Sequence, residues 1–333
     1  MNSKIDFVIT WVDGSDPKWI MEKNSYSAGS YTDNRTERFR DWDNLIYWFR
    51  GIEKFAPWVN RIHFVTWGHF PKWLNLHHPQ LNIVTHSDYI PQKYLPTFNS
   101  HAIELNLHRI PNLTENFVYF NDDVFIISPT KSSDFFKNNL PCESAILNAH
   151  CYSIEKGFHL SPYRNIGIIN KYFNMRYVIK KNPAKWFNLK YGPDLLRTLA
   201  LLPCPRFPGL WQAHLASSLK KSTFETLWLQ EYKELDETCL HKFRHMLDYN
   251  QWLFKEWQIA SGEFFPRQTS FGKSFEATEE KSIKTICEFI LKQKGKMISI
   301  NDGEMTAEKF KTYKQKINNT FQKILPEKSK FEK

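Results

Sequence analysis

The sequence predicts an α/β protein, a mainly parallel sheet with a helical subdomain added to it. Three observations carry this expectation. Short, β-branched apolar runs alternate with helix-periodic segments through the first third of the 333 residues, as in a parallel layer covered by helices. Two of those runs stop at acidic turn sequences, and such sheets bind ligands at the carboxyl ends of their strands. Beyond about residue 140 the strand pattern gives way to helical periodicity punctuated by proline.

Ile5–Trp11 (IDFVITW) reads as a buried strand, closed by the turn signal Asp13-Gly14-Ser15-Asp16-Pro17. After a polar stretch, Asp43 is placed to cap a helix carrying Leu45, Phe49, Ile52 and Phe55 on one face, ended by Ala56-Pro57. Arg61–Thr66 and Leu81–Thr85 follow as strands. Asn99 or Ser100 starts another helix, with Ile103, Leu107 and Ile110 on one side. Phe117–Phe120 is a fourth strand that runs straight into Asn121-Asp122-Asp123.

Helix-like segments are expected near 210–230 and 236–258, after the proline-rich Pro203–Pro208. An amphipathic stretch over 277–294 leads to a late strand, Lys296–Ile300, ending at Asn301-Asp302-Gly303. Phe310, Ile317, Phe321 and Ile324 share a last helical face. The expected organisation is an α/β core over 1–140, a mainly helical subdomain over 141–270, and a strand and helices over 271–333 that complete the core.

Lysine and arginine outnumber acidic residues 45 to 35, and the pI is about 9.2. That balance suits an anionic partner: nucleic acid, an anionic membrane surface or a phosphate-bearing substrate. Much of the charge sits on lysines in the last sixty residues. No DNA- or RNA-binding motif is present, so no nucleic-acid partner is expected. The five cysteines form no Cys-x-x-Cys pair, as expected of reduced cytosolic thiols. No leader-like apolar region opens the sequence, and no run is long enough to span a bilayer. The expectation is a cytoplasmic chain, at most weakly peripheral at the inner face of the cytoplasmic membrane.

Asp122 and Asp123 suit a hard divalent cation, which takes oxygen ligands and bridges to phosphates. Adjacent strand residues point to opposite faces, so both reach one ion only if the strand has ended; otherwise one binds while the other holds a loop. Asp302 ends the late strand in the same manner. It becomes a third ligand or a base if that strand joins the sheet, although Asn301-Asp302-Gly303 is equally a plain turn. His214 can accept a proton near neutrality, and Arg244 can clamp phosphate oxygens with its planar fork. Both lie in the region read as helical.

The same segments carry a family likeness. IDFVITWVDGSDP, then RFRDWDNLIYWF through VTHSDYI, and LPTFNSHAIELNLHRIPNLTENFVYFNDDVFI resemble the first two blocks of the Stealth family. Trp211 to Phe254, with AHLAS and HKFRHMLDYNQ, is similar to the third block, and KMISINDGE to the short fourth. Stealth proteins are hexose-1-phosphoryltransferases, bacterial capsular and cell-wall enzymes and an animal N-acetylglucosamine-1-phosphotransferase subunit among them. The resemblance implies transfer of a sugar 1-phosphate from a UDP-sugar to a hydroxyl of a glycan acceptor (a lipid-linked one included), with release of UMP. It also implies a nucleotide-sugar-binding, GT-A-like sheet and Mg²⁺ or Mn²⁺ as cofactor.

Matched residue by residue, the resemblance makes Asp122 and Asp123 active-site acids, joined by His214, Arg244 and Asp302. Metal ligation falls to Asp122, Asp123 and Asp302. His214 is the preferred base, with Asp302 in reserve. Trp11, Val12, Asp13, Gly14 and Asn121 bind the donor; Asp13 stands where the animal enzyme's motif has Asn. The nearest rival function is an ordinary glycosyltransferase that releases UDP.

Overall fold

In chain order the strands are β1 (Ile5–Trp11), β2 (Ile62–Thr66), β3 (Leu81–Thr85), β4 (Asn116–Phe120), β5 (Val124–Ile126), β6 (Phe136–Lys137), β7 (Leu140–Glu143), β8 (Ser217–Lys220), β9 (Phe265–Pro266), β10 (Gly272–Glu276) and β11 (Met297–Asn301). The computed structural model describes residues 4–27, 40–151 and 160–333. Part of the polar stretch ahead of Asp43, with Arg38 and Phe39 of the second family block, lies outside the described residues.

The main sheet has the order β3-β2-β1-β4-β8. β1 to β4 are parallel, and β8 runs antiparallel along β4. The strand order reverses at β1, with β2 and β3 to one side and β4 to the other. Open parallel sheets leave a ligand crevice at the carboxyl ends of the strands flanking such a reversal. The α/β class and the mainly parallel sheet therefore stand as expected.

Pleating sends alternate residues of β1 and β4 to opposite faces. Phe7, Ile9 and Trp11, with Val118 and Phe120, join a core made with the helices Leu45–Phe55, Glu280–Leu291 and Ala307–Ile324. Val8, Phe117 and Tyr119 enter the other core, made with the helices between Ser100 and Ala260. The helix Leu45–Phe55 sits very close to its neighbour. A Cβ added at Gly51 would come 2.7 Å from the Ile126 carbonyl oxygen of β5, so only glycine fits there.

Local expectations change in five places. Asn44 takes the N-cap position of that helix, and Asp43, at φ 50°, pairs instead with Lys314. Asn99 caps Ser100–Leu105 by accepting from the His101 amide, but the α-helix stops there and Leu107–Arg109 is a 3₁₀ turn. The segment near 210–230 becomes helical only at Lys221; Ser217–Lys220 is drawn into β8 because the β4 edge needs a backbone partner. The segment 236–258 splits into the helices Tyr232–Leu240 and Trp252–Ala260 around an irregular loop. The late strand, β11, stays out of the main sheet and pairs parallel with β10 and antiparallel with β5.

Candidate active site

The carboxyl ends of β1 and β4 open on a cavity of about 530 Å³. Trp11, Val12 and Asn121 to Asp123 line it from the sheet, and His214, Arg244 and Asp302 from later in the chain. Asp13 and Gly14 do not line it. The Asp13 carboxylate accepts from the Ser15 amide and hydroxyl at 2.9 and 2.6 Å, closing the turn after β1. Its own amide donates to His69 Nε2 at 2.7 Å.

β4 has ended before the acidic pair begins. Residues 121–123 turn, and the Val124 amide donates back to the Asn121 carbonyl at 3.2 Å. Strand alternation therefore does not separate Asp122 from Asp123. β5 then pairs with β11, and the Ile300 amide donates to the Asp123 carbonyl at 2.9 Å. Asp302 reaches the cavity through this second, small sheet.

Asp123 is asymmetric. Its Oδ2 accepts from Ser299 Oγ at 3.3 Å and lies 3.2 Å from His214 Nε2. Its Oδ1 is buried with no hydrogen-bond partner. A buried carboxylate oxygen in that state is unfavourable unless a cation or a proton donor comes to it, so the site fits a divalent cation. Asp122 is open to the cavity, yet it lies on a floor walled by protein. That desolvation, then the charges of Asp123 and Asp41, pushes its carboxyl up to about 7.

His214 adopts φ 47°, a left-handed conformation that a non-glycine residue holds only when its surroundings impose it. Burial works against protonation of its ring, but the hydrogen bond and charge of Asp123 outweigh burial and raise its pKa above the ordinary value.

Arg244 lies in the irregular loop rather than on a helix. Its Nε and Nη2 donate to Ser100 Oγ at 2.8 and 2.6 Å. Asp248, fully buried, ties that loop down. It accepts from Asn99 Nδ2 and the His245 amide, both at 2.8 Å, with His101 Nδ1 at 3.3 Å and His241 Nδ1 at 2.7 Å. Burial would raise its pKa, but the bonds from His101 and His241 prevail and hold it at about 2. Among the described residues, His241, His245 and Asp248 are the one trio whose metal-ligating atoms fall within 4.8 Å of one another. Asp248 already has four donors, so this group closes on itself as a brace for Arg244.

Asp302 meets Arg40 in a bidentate pair, Nε to Oδ2 at 2.9 Å and Nη2 to Oδ1 at 2.5 Å, and Arg40 also stacks 4.3 Å from the Phe310 ring. Both Asp302 oxygens are thus occupied. Arg40 lines the same cavity and escaped the sequence reading. Its only signal there was its place at the opening of the second family block.

The switch-point crevice gathers six carboxylates, Asp122, Asp123 and Asp302 among them, with two histidines and two arginines, a charged site of the kind polar-group chemistry needs. Residues 3–31 match Stealth protein CR1, conserved region 1, and residues 38–143 match Stealth protein CR2, conserved region 2. The chain is 42% identical to the capsular polysaccharide phosphotransferase WcwK of Streptococcus pneumoniae, over 99% of this chain and 98% of that one. It is 38% identical to the exopolysaccharide phosphotransferase cps2G of Lactiplantibacillus plantarum, over 99% and 96%. With the receptor polysaccharide phosphotransferase WefC of Streptococcus oralis it shares 34% identity, over 99% of each. The chain belongs to the Stealth family, and it is an enzyme, a phosphotransferase. Among solved structures, the galactosyltransferase LgtC with donor and acceptor sugar analogues aligns over 93% of this chain and 95% of that one, at 8% identity and a TM-score of 0.38. So distant a likeness carries no argument, and the α/β class rests on the strand order. Among the described residues no helix is long and apolar enough to cross a membrane.

Proposed function

We propose that the chain transfers a hexose 1-phosphate from a UDP-sugar to a hydroxyl of a glycan acceptor in capsular or cell-surface polysaccharide synthesis. The observation that supports this best is the Asp123–His214 pair facing the same cavity as Arg244 and Arg40. With Nε2 donating to Asp123, His214 Nδ1 is the nitrogen left to take the acceptor's proton. The acceptor oxygen forms a bond to the phosphorus that carries the sugar. The bond from that phosphorus to the UMP oxygen breaks, and UMP leaves with the electron pair.

Phosphoryl transfer depends mainly on positioning and charge neutralisation. Arg244, set by Ser100, and Arg40, set by Asp302, supply the cationic side chains for the phosphate oxygens. Asp123 Oδ1 and Asp122 are the groups that would hold Mg²⁺ or Mn²⁺, which when bound neutralises diphosphate charge. For Asp302 to serve as a third ligand, or as the reserve base, it would have to release Arg40. Trp11, Val12 and Asn121 line the donor end. A lipid-linked acceptor would place the chain at the inner face of the cytoplasmic membrane.

The deciding experiment is to incubate the protein with UDP-sugars, acceptor glycan and Mg²⁺ or Mn²⁺, and identify the nucleotide released. UMP with a new phosphodiester supports the proposal; UDP establishes an ordinary glycosyltransferase instead. A second readout needs no turnover: Mn²⁺ should raise the melting temperature of the wild-type protein and leave that of Asp123→Asn unchanged.

A further inference from the structure

The net charge of the chain is not spread evenly. Its last sixty residues hold thirteen lysines against nine acids. Residues 160–210 hold nine lysines and arginines against one acid, Asp194, a net +8 in a chain of net +10. That acid is already beside Arg197, 3.5 Å away. Among the described residues, Lys180, Lys181 and Arg206 make no ion pair.

Part of the same segment turns apolar side chains outward, although most of its others are buried. In the helix Leu195–Leu201 the one buried side chain is Thr198, whose Oγ1 accepts from the Leu147 amide at 3.1 Å. Leu196 and Leu199, three residues apart and so on one face, are 67% and 47% exposed. Just before the helix, Leu189 is 90% exposed, and Phe187 and Tyr177 are exposed as well. Leu195 and Leu201 pack against the core, so the helix is apolar on its outer side as well as its inner one, and it sits on a rigid base because Trp186 and Tyr191 are fully buried. Tyr191 Oη donates to the Lys185 carbonyl at 2.6 Å, and Arg176 reaches the Pro203 carbonyl at 3.2 Å, tying the segment together. None of these residues lines the active-site cavity. The chain then runs through Pro203–Pro208 towards His214.

We propose that this segment, through the exposed Leu189, Leu196 and Leu199 and the basic Lys180, Lys181 and Arg206, docks on an anionic lipid surface. Exposed leucines enter the interfacial zone while basic side chains meet the headgroups. The single sign of the charge selects the occupant. Arg164 and Lys171 are answered from outside the segment by Glu234 and Glu231, but a second copy seated on this face would still set basic groups against basic groups, whereas an anionic leaflet complements them. The proposal rests on the membrane-side reading of the acceptor for its purpose, but binding is measured without turnover, so either can fail alone.

The test is flotation with vesicles of phosphatidylcholine alone or mixed with phosphatidylglycerol. The full chain should bind the mixed vesicles at least about tenfold better than the neutral ones, and lose that binding in high salt. The triple variant Leu189→Ser/Leu196→Ser/Leu199→Ser and the pair Lys180→Glu/Lys181→Glu should each weaken binding about tenfold, with circular dichroism unchanged. Absence of binding to the mixed vesicles, or binding that neither variant weakens, overturns the proposal. So does a concentration-dependent dimer that the leucine variant makes monomeric, which would assign the face to a protein partner.

Discussion

β1 carries one end of the sheet's chemistry and delivers the other, and the two ends treat a buried carboxylate in opposite ways. Near its start, Asp6 is fully buried and fully satisfied. Its Oδ1 accepts from Asn60 Nδ2 at 2.6 Å, and its Oδ2 from the Thr114 amide at 3.0 Å and His63 Nε2 at 3.1 Å. His63 is held in turn by Asn82, 2.9 Å from its Nδ1. At the far end, Asp123 keeps one oxygen buried without a partner, Asp122 crowds against it, and His214 sits in a left-handed conformation. A closed network holds β1, β2 and the approach to β4 in register. An open one stores unmet interactions, and unmet interactions are what a ligand can satisfy.

The sharpest way to break this comparison is to remove one charge from each end. Asp123→Asn should lower kcat by about a thousandfold while the urea midpoint stays at or above that of the wild type, because a crowded carboxylate has gone. Asp6→Ala should do the reverse, losing about 3 kcal/mol of unfolding free energy by leaving the His63 side unpaired, with kcat per folded molecule unchanged. Equal losses of stability in both variants would show that the two ends do not differ in kind.

The sequence made the contrast only half visible. β1 and β3 were readable to the residue, because runs of Val, Ile and aromatic residues bounded by turns have few other uses. A cap at Asn99 or Ser100 was readable, and Asn99 takes it because its side chain serves an amide two residues away. Asp43 was not, because Lys314, on the last helix, claims it. The acidic pair announced itself through its place after a buried strand. Its partners did not do so by local pattern: His214, 91 residues from Asp123, entered the site only through the family resemblance, and Arg40, 262 from Asp302, was missed. Such pairings depend on β8 lying along β4 and β11 along β5, and no local pattern encodes that. β8 was hidden for a related reason. Ser-Ser-Leu-Lys has little strand character of its own, and the exposed β4 edge supplies the drive.

A smaller change sharpens the picture of the open end. Arg244→Lys keeps the charge but cannot place two nitrogens on Ser100 Oγ as the guanidinium does. It should lower kcat about a hundredfold with little change in melting temperature. Ser100→Ala should give a milder loss in the same direction, because it removes only the anchor. If Arg244→Lys retained full turnover, the guanidinium geometry would be irrelevant to the transferred group.

The smallest effect separates the closed networks from the open site by pH. Asp248, like Asp6, has its pKa lowered by hydrogen bonds that overcome burial, and for Asp248 the folded value is about 2 against 3.8 for the unstructured side chain. Between those values the unfolded chain binds a proton that the folded chain refuses. Its contribution is therefore fully present above about pH 4 and is lost as pH falls towards 2, about 2 kcal/mol in all. Asp122 has the opposite sign: a raised carboxyl pKa means that stability declines as pH rises towards 7. Urea unfolding from pH 7.5 down to pH 2.5 should show a steep acid limb in the wild-type protein and a shallower one in Asp248→Asn, whereas Asp122→Asn should leave that lower limb in place and flatten the decline towards neutral pH. An acid limb unchanged in Asp248→Asn would mean that the Arg244 loop is not held by this carboxylate, and the brace would have to be sought in the Phe98–Phe243 stack instead.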